Sequence, residues 1–503
     1  MNRLYLYGPP ASGKTTLAKR LAREFHLEAA DLDEKIVSSQ GMAISEIFAN
    51  FGEEKFREIE SRLLKETSSP IVSLGGGTLL KEENRQFAED NGFIALLDTD
   101  EETIIERIVK AKGIRPLGNK FKARQAHYAS FPHHIKEDTR VLLPVKLAGK
   151  LTVPVSKSSD HRILIAKFLS SRRALFTENK SDCADIIATK RCLSSMGKAL
   201  QEASSFARLD CGESGSTLRF LAPVCAALGI KPDFIRRGRL SSRPMIDYSN
   251  LESGEHILPG NVSSQFVTGL LFALPILKGD SRISFSTPLE SRGYVDMTLD
   301  VIRAFGIEVE EKDGAFHIKG SQRYVEPENI QPEADWSSAA FWIVANFLGS
   351  NIEINNLSSN SSQPDRAILE LAPKIASCSS EIDISPCPDL YPALAILAAS
   401  RKGATKFVNA ARLRIKESDR IEAMEKVLDA FGVKTSSTCD SATIFGTGEK
   451  FSPCEIDSQN DHRIAMASAI GALNASGPVL VHGAGCVAKS YPDFFESFAS
   501  LVV

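Results

Sequence analysis

Residues 8–16 read GPPASGKTT, and their types and spacing suit the handling of phosphate. Gly8 and Gly13 let successive backbone N–H groups turn into one concavity, and a helix beginning just after them adds the positive end of its dipole. Lys14 can then reach terminal phosphates, the Thr15 hydroxyl can ligate magnesium, and Ala11, Ser12 and Thr16 complete the loop. The apolar run RLYLYG before the loop predicts a strand and LAKRLAREF after it an amphipathic helix, the setting such a cradle needs. An ordinary Gly-rich turn would not bring all these parts together. The residues predict a nucleoside triphosphate site.

A second set of reactive residues lies further on. Lys157, Arg162, Arg219, Arg243, Lys416, Arg420, Arg463 and Lys489 stand at or near small, polar clusters, most of which open apolar helical runs. Six such openings occur: SKSSDHRILIAKFL, GESGSTLRFLAPVCAAL, NVSSQFVTGLLFAL, DWSSAAFWIVANFL, PDLYPALAILAA and NDHRIAMASAIGAL. DHRI recurs verbatim. When several helix N-termini face one cleft, their free N–H groups and dipoles make a basin for anions. Solvated surface cations are the plain alternative, but grouping where the helices begin argues for a site.

The elements that must position these residues follow from periodicity. Up to about residue 136 strand-like and helical patterns alternate, as in a parallel α/β domain. The charged run KEDTR then gives way to VLLPVKLAGKLTVPVSKS, which places a boundary at 139/140. Beyond it, β-type runs (SRISFS, NIEINNL, TKFVNA, PVLVHGAG) and amphipathic helices (VDMTLDVIRAFG, DRIEAMEKVLDAFG) separate the apolar helices. A spacing of roughly 50 to 75 residues fits a repeated mixed α/β unit and is too long for a helical solenoid.

Composition narrows the classes. A chain of 503 residues, 43% hydrophobic and 24% charged, suits a soluble globular protein of about three domains. A net charge of -3 offers no basic field for nucleic acid, so anion sites must be local clusters. No run is long enough to span a membrane, and the N-terminus reads directly as strand and phosphate loop, so a cytoplasmic protein is expected. The nine cysteines, all from Cys183 onward and without CxxC spacing, read as thiols. His133 and His134 read as exposed residues of a polar connection.

Residues 2 to about 138 resemble shikimate kinase. The phosphate loop, ADLDEKI, GEEKFREIE, SLGGGT, GIRPL and RQAHY carry the resemblance in family order. It implies that Asp31 helps Thr15 position Mg2+ with ATP. Asp33, Arg57 and Arg124 would grip the hydroxyls and carboxylate of shikimate beside Gly75, Gly76 and Gly77, and Arg115 on a lid-like segment would neutralise the phosphoryl group in flight. Helix capping by Asp31 and Asp33, and a surface ion pair at Arg57, are the structural alternatives.

From about residue 140 the chain resembles enolpyruvylshikimate-phosphate synthase, through SKSSDHR, GESGSTLR, SSRPM, NVSSQF, SRGYVD, PDLYPA, RIKESDR, NDHR and AKSYPDFFE. The resemblance implies that Lys157, Ser158, Arg162, Ser263, Ser264, Gln265, Ser291, Tyr294, Asp389 and Lys416 hold shikimate 3-phosphate. Lys157, Gly215, Arg243, Gln265, Arg420, Arg463 and Lys489 would surround phosphoenolpyruvate. Guanidinium forks and ammonium groups suit two polyanions brought together. Addition of the 5-hydroxyl to the enol ether, protonation of its methylene and expulsion of phosphate need an acid and a base. Asp389 and Glu417 are the candidates, with Lys157 and Lys416 stabilising charge; helix capping is their structural alternative.

The expected architecture is therefore a P-loop domain (1–139) with a parallel sheet, followed by two pseudo-symmetric α/β domains of βαβαββ-type units. These are 157–333, and 334–503 with the strand near 140–153, joined by crossings near 153–157 and 331–335. The expected function is bifunctional: shikimate is phosphorylated by ATP, and enolpyruvyl is transferred to the product, with no cofactor for the second step. The partners are small molecules, with neither nucleic acid nor membrane. A non-catalytic kinase half stays open, as does, less well matched, an enolpyruvyl transferase acting on a nucleotide sugar. Departures from the family patterns are Val155 for Gly, and Glu213 and Arg412 each for Asn. After Tyr128 only HHIKEDT stands where a strand and a final helix are usual, so the following region is expected to pack against the first domain in their place.

Overall fold

The computed structural model describes residues 2–110, 118–173, 176–377 and 379–503, with backbone alone at 108–110 and 118–122. Near the N-terminus five strands form one parallel sheet. They are β1 (Arg3–Tyr7), β2 (Ala29–Asp31), β3 (Ile71–Ser73), β4 (Gly92–Leu97) and β5 (His134–Ile135), in the order β2-β3-β1-β4-β5. Side chains alternate along β1, so both faces must be covered. Tyr5 and Tyr7 pack with Phe56, Leu64 and Phe131 on one face. Leu4 and Leu6 pack with Leu17, Leu21 and Phe25 of the Lys14–Glu24 helix and its C-terminal cap on the other.

That second cluster runs unbroken into Val141, Leu142 and Phe495. HHIKEDT supplies β5, and β6 (Thr139–Leu142) then joins a separate sheet, antiparallel to Val479–His482. Across the junction Asn2 N donates to Ser476 O at 2.9 Å, and Arg140 pairs with Glu24 while lying 5.0 Å over the Phe495 ring. His133 and His134 depart from expectation. Both are half-buried: His133 stacks on Phe93 at 4.2 Å, and the His134 backbone N–H donates to Glu455 at 3.2 Å. The cause is the docked neighbour, which turns a polar connection into an interface.

The remaining chain forms two lobes of matching design. Helices Lys157–Ser171, Gly215–Ala227 and Ser264–Ala273 sit in the first, and Trp336–Phe347, Tyr391–Ala399 and His462–Ala472 in the second. Behind their polar openings they are largely apolar and buried, Tyr391–Ala399 along its whole length. Each lobe also carries a four-stranded sheet of one topology, a parallel pair followed by two antiparallel neighbours. The strands are Glu255–Pro259, Ser281–Thr287, Ala315–Ile318 and Val309–Lys312 in the first lobe. In the second they are Ser380–Asp383, Gly403–Val408, Ser441–Gly446 and Lys434–Ser437. β7 (Ala148–Leu151) pairs with Asn351–Ile354 of the second lobe.

The chain passes between the lobes twice, and the passages are bonded together. Ser156 N donates to Glu333 O at 2.6 Å and Asp335 N to Pro154 O at 2.9 Å. Ser156 and Asp335 then each cap a helix, Ser156 accepting from Ser159 N and Asp335 from Ser337 N. Ser214, Ser263 and Asp461 cap three of the others, which fixes where those helices begin.

Candidate active sites

The N-terminal loop meets its helix at Gly13, whose φ of 103° is one that side chains avoid. Lys14 Nζ donates to Gly8 O at 2.8 Å and Pro9 O at 2.7 Å, so its ammonium lies folded along the loop. Thr15 Oγ1 donates to Asp31 Oδ2 at 2.5 Å, and the other Asp31 oxygen caps the next helix through Asp33 N and Glu34 N. Asp31 is thus a cap and a neighbour of Thr15 at once. Hydroxyl and carboxylate together are hard oxygen donors of the kind Mg2+ takes, so these residues fit the ion. Ala11, Ser12, Thr16, Asp33, Gly75 and Gly76 line the same cavity of about 600 Å³.

The three glycines form the wall between this cavity and two arginines. A Cβ on Gly76 would stand 2.9 Å from Pro10 Cδ, and one on Gly77 would stand 2.7 Å from Arg57 Nη2 and 3.2 Å from Arg124 Nη1. Arg57 is held by Glu60 at 2.6 Å, a carboxylate 1% exposed that also accepts from Thr78 Oγ1. Glu60 is invisible in sequence because its work is done inside a helix, one turn from Arg57. Arg107, also unforeseen, donates to Ser12 O at 2.8 Å. Arg115 lies outside the described residues.

The second site is the cleft between the lobes. Lys157, Ser158, Arg162, Gly215, Arg243, Ser263, Ser264, Gln265 and Tyr294 line it from the first lobe, and Asp389, Lys416, Glu417 and Arg463 from the second. The repeated DHRI explains part of this convergence: Arg162 and Arg463 lie near the starts of matching helices in opposite lobes. A Cβ on Gly215 would stand 2.9 Å from Arg243 Nη1, so this backbone must stay bare for the guanidinium to lie over the helix N-terminus.

Charge is concentrated on two carboxylates. Asp389 accepts from Arg420 Nη1 at 2.7 Å, Arg463 Nη2 at 2.9 Å and Lys416 Nζ at 3.2 Å; Glu417 accepts from Arg420 Nη2 at 2.7 Å. Neither caps a helix. Asp419 does so for Arg420–Ala430, and the Asp389 turn has no side-chain cap. Burial alone would raise both carboxyls, but Arg463, Lys416 and Arg420 hold Asp389 far below the usual range, and Arg420 and Arg243 do the same for Glu417. Burial pushes the cations the other way: Arg162 to about 10, Arg219 to about 9 with help from the Arg243 charge, and Lys416 to about 8. Several cations here are short of counter-charge, and the buried Nε atoms of Arg243 and Arg463 have no protein partner. The cleft is built for anions.

A family model of EPSP synthase (3-phosphoshikimate 1-carboxyvinyltransferase) matches residues 246–498. A curated 3-phosphoshikimate 1-carboxyvinyltransferase from Clostridium acetobutylicum is 39% identical over 413 residues, covering 71% of this chain and 96% of its own. The chain belongs to the EPSP synthase family. A relative from Clostridium kluyveri with the same description is 39% identical over 415 residues, with 71% and 96% covered. The solved EPSP synthase from Acinetobacter baumannii shares the fold at a TM-score of 0.56 and 24% identity, over 72% of this chain and 98% of its own. Residues 10–138 match the family model of shikimate kinase. Both are families of enzymes, so an EPSP synthase region here follows a kinase-family region on one chain.

Three residues expected around the EPSP synthase ligands stand back from the cleft lining. Ser291 Oγ donates to Ser385 O at 2.6 Å. Arg420, 1% exposed, is clamped from below by Asp461 at 2.9 Å. Lys489 pairs with Glu213 at 2.7 Å. Asp185, which holds Lys157 at 3.0 Å, gave no signal in the sequence. Asp461 could have been found, since it opens the second DHRI as an N-cap.

Proposed function

We propose that this chain phosphorylates shikimate with ATP at the N-terminal site and then transfers enolpyruvyl from phosphoenolpyruvate to the 5-hydroxyl of shikimate 3-phosphate in the cleft. One observation carries the reading: a single cleft gathers many cations around two ionised carboxylates, as joining two polyanions requires. Lys157, Ser158, Arg162, Ser263, Ser264, Gln265, Tyr294 and Lys416 hold shikimate 3-phosphate, with Ser291 turning to it when the ligand enters. Arg243, Arg420, Arg463 and Lys489, with Gly215 and Gln265, take phosphoenolpyruvate.

Asp389 is the base at the 5-hydroxyl and Glu417 exchanges the methylene proton. Glu417 shares Arg420 with Asp389 and Asp461, so an incoming anion that draws on Arg420 raises the Glu417 carboxyl toward a useful proton affinity. In the N-terminal site Lys14 and the loop N–H groups hold ATP, Thr15 and Asp31 hold its Mg2+, and Asp33, Arg57 and Arg124 face shikimate across the glycine wall. Bound Mg2+ neutralises phosphate charge; the protein's own part is to align donor and acceptor.

The test is to supply shikimate, ATP and phosphoenolpyruvate to the full-length chain in all pairwise combinations. ADP should appear from shikimate and ATP without phosphoenolpyruvate, and phosphate only when shikimate 3-phosphate is supplied or made. Phosphate release without ADP formation would leave the kinase half a nucleotide-binding module.

A further inference from the structure

Lys489 ends a six-residue 3-10 turn, Ala484–Lys489, whose capping place is taken by Gly483, φ 63°, with no side chain to bind the turn. The N–H groups that open such a turn must find acceptors elsewhere. Both acceptors come from Asp138. Its carbonyl oxygen accepts from Ala484 N at 3.3 Å, and its Oδ1 accepts from Gly485 N at 2.9 Å. Gly485 gives the carboxylate room, since a Cβ there would stand 3.2 Å from Oδ1 and 3.3 Å from Oδ2. Asp138 is the last residue matched to the shikimate kinase family model, and it lies 347 residues before Gly485.

Asp138 is itself held from two sides. Lys136 N donates to Thr139 Oγ1 at 2.9 Å and Thr139 N to Lys136 O at 3.2 Å, which closes a tight turn around Asp138. Thr139 then pairs in register with His482, its Oγ1 2.7 Å from His482 Nδ1. On the other side β5 fixes the approach, through the pairing of Ile135 with Leu97. Beyond Gly485 the turn is anchored by the buried Cys486 and Val487, and its far end presents Lys489 to Glu213 and Asn460. A shift at the start of so short a turn is felt at its end. We propose that Asp138 is a positioning residue for the synthase reaction: by binding the first two N–H groups of Ala484–Lys489 it sets where Lys489 stands on the phosphoenolpyruvate side of the cleft. The proposal rests on the synthase reading of the cleft. It makes the last residue of the kinase-family region a working part of the neighbouring site.

The experiment follows phosphate release by the full-length chain from shikimate 3-phosphate and phosphoenolpyruvate, with each KM measured in turn. Asp138→Ala should raise KM for phosphoenolpyruvate by about threefold to tenfold, while KM for shikimate 3-phosphate stays within about twofold. Asp138→Asn keeps an acceptor oxygen and should restore most of the wild-type value. Asp138 is exposed, so neither change disturbs a core. In a Lys489→Ala background the further change Asp138→Ala should alter KM for phosphoenolpyruvate by less than about twofold, because the turn no longer carries the cation. Unchanged KM for phosphoenolpyruvate in Asp138→Ala, equal weakening of both substrates, or no recovery in Asp138→Asn would overturn the proposal. So would a full further loss in the Lys489→Ala background. If the wild-type chain releases no phosphate from the two substrates, the synthase reading itself has failed, and the proposal with it.

Discussion

Lys489 and Glu213 meet across the cleft, Nζ to Oε2 at 2.7 Å, although 276 residues separate them in the chain. Lys489 also donates to Asn460 O at 2.6 Å, and Asn460 Nδ2 reaches both Glu213 oxygens at 3.1 Å. Glu213 thus places a carboxylate of the protein on the cation proposed to take phosphoenolpyruvate. Lys489→Ala should weaken phosphoenolpyruvate binding by about 2 kcal/mol while leaving shikimate 3-phosphate binding nearly unchanged. Glu213→Gln, which removes the internal competitor, should strengthen it. Titrating each variant with each ligand decides the matter: equal weakening of both ligands would move Lys489 out of this role.

Asp389→Asn and Glu417→Gln keep shape and some hydrogen bonding but cannot exchange a proton. Each should lower synthase turnover by roughly a hundredfold or more, with ligand affinity largely kept. Steady-state kinetics with supplied shikimate 3-phosphate gives the answer, and near-normal turnover in either variant would reduce that carboxylate to an anchor for Arg420.

Lys416 sets a pH dependence whose two signs differ. Burial lowers its ammonium to about 8, against the attraction of Asp389. Between about 8 and the unfolded value of about 10.4 the native state has shed a proton that the unfolded chain keeps, so this group's contribution to stability rises with pH. Anion binding needs the charged form and should move the other way: kcat/KM for shikimate 3-phosphate should fall as pH rises through about 8. The substitution Lys416→Arg would hold the charge and displace that limb upward. A flat wild-type profile up to about pH 9.5 would show that the charge is not needed.

The two chemistries should be separable by mutation but not by scission. Lys14→Ala should abolish ADP formation and spare the synthase assayed with supplied shikimate 3-phosphate. Excised residues 1–139 should melt below the kinase half of the full chain and bind ATP weakly. The reason is that Leu17, Leu21 and Phe25 share an unbroken apolar cluster with Val141, Leu142 and Phe495, and re-exposing one such side chain costs about 2 kcal/mol. Equal melting temperatures and equal ATP affinity would show the contact to be incidental.

Much of this was legible because it is local. The phosphate loop, the polar openings of the six buried helices and the repeated DHRI all declare themselves within a few residues. What could not be read depends on distant partners. Glu60 beside Thr78 and Asp185 beside Lys157 are ordinary acidic residues until the fold sets them next to a donor, and Glu213, noticed only as a replacement, showed nothing of its pairing with Lys489. His133 and His134 failed for the same reason in part, since Glu455, more than three hundred residues further on, lies against both. Arg412 stood out only as a replacement, and its bond to Ser291 on the other lobe is visible only in the fold.

The paired passages between the lobes have a mechanical consequence. Two segments bonded side by side, Ser156 to Glu333 and Asp335 to Pro154, resist sliding and twisting far better than a single tether, and bend most easily about one axis. Such a pivot turns the lobes like the leaves of a door. Because Ser156 and Asp335 also cap helices, any swing tilts both of those helices at their capped ends, and Lys157 beside the pivot moves little. Contacts far from the pivot sweep the longest arc, so they are made last on closing and are lost first on opening.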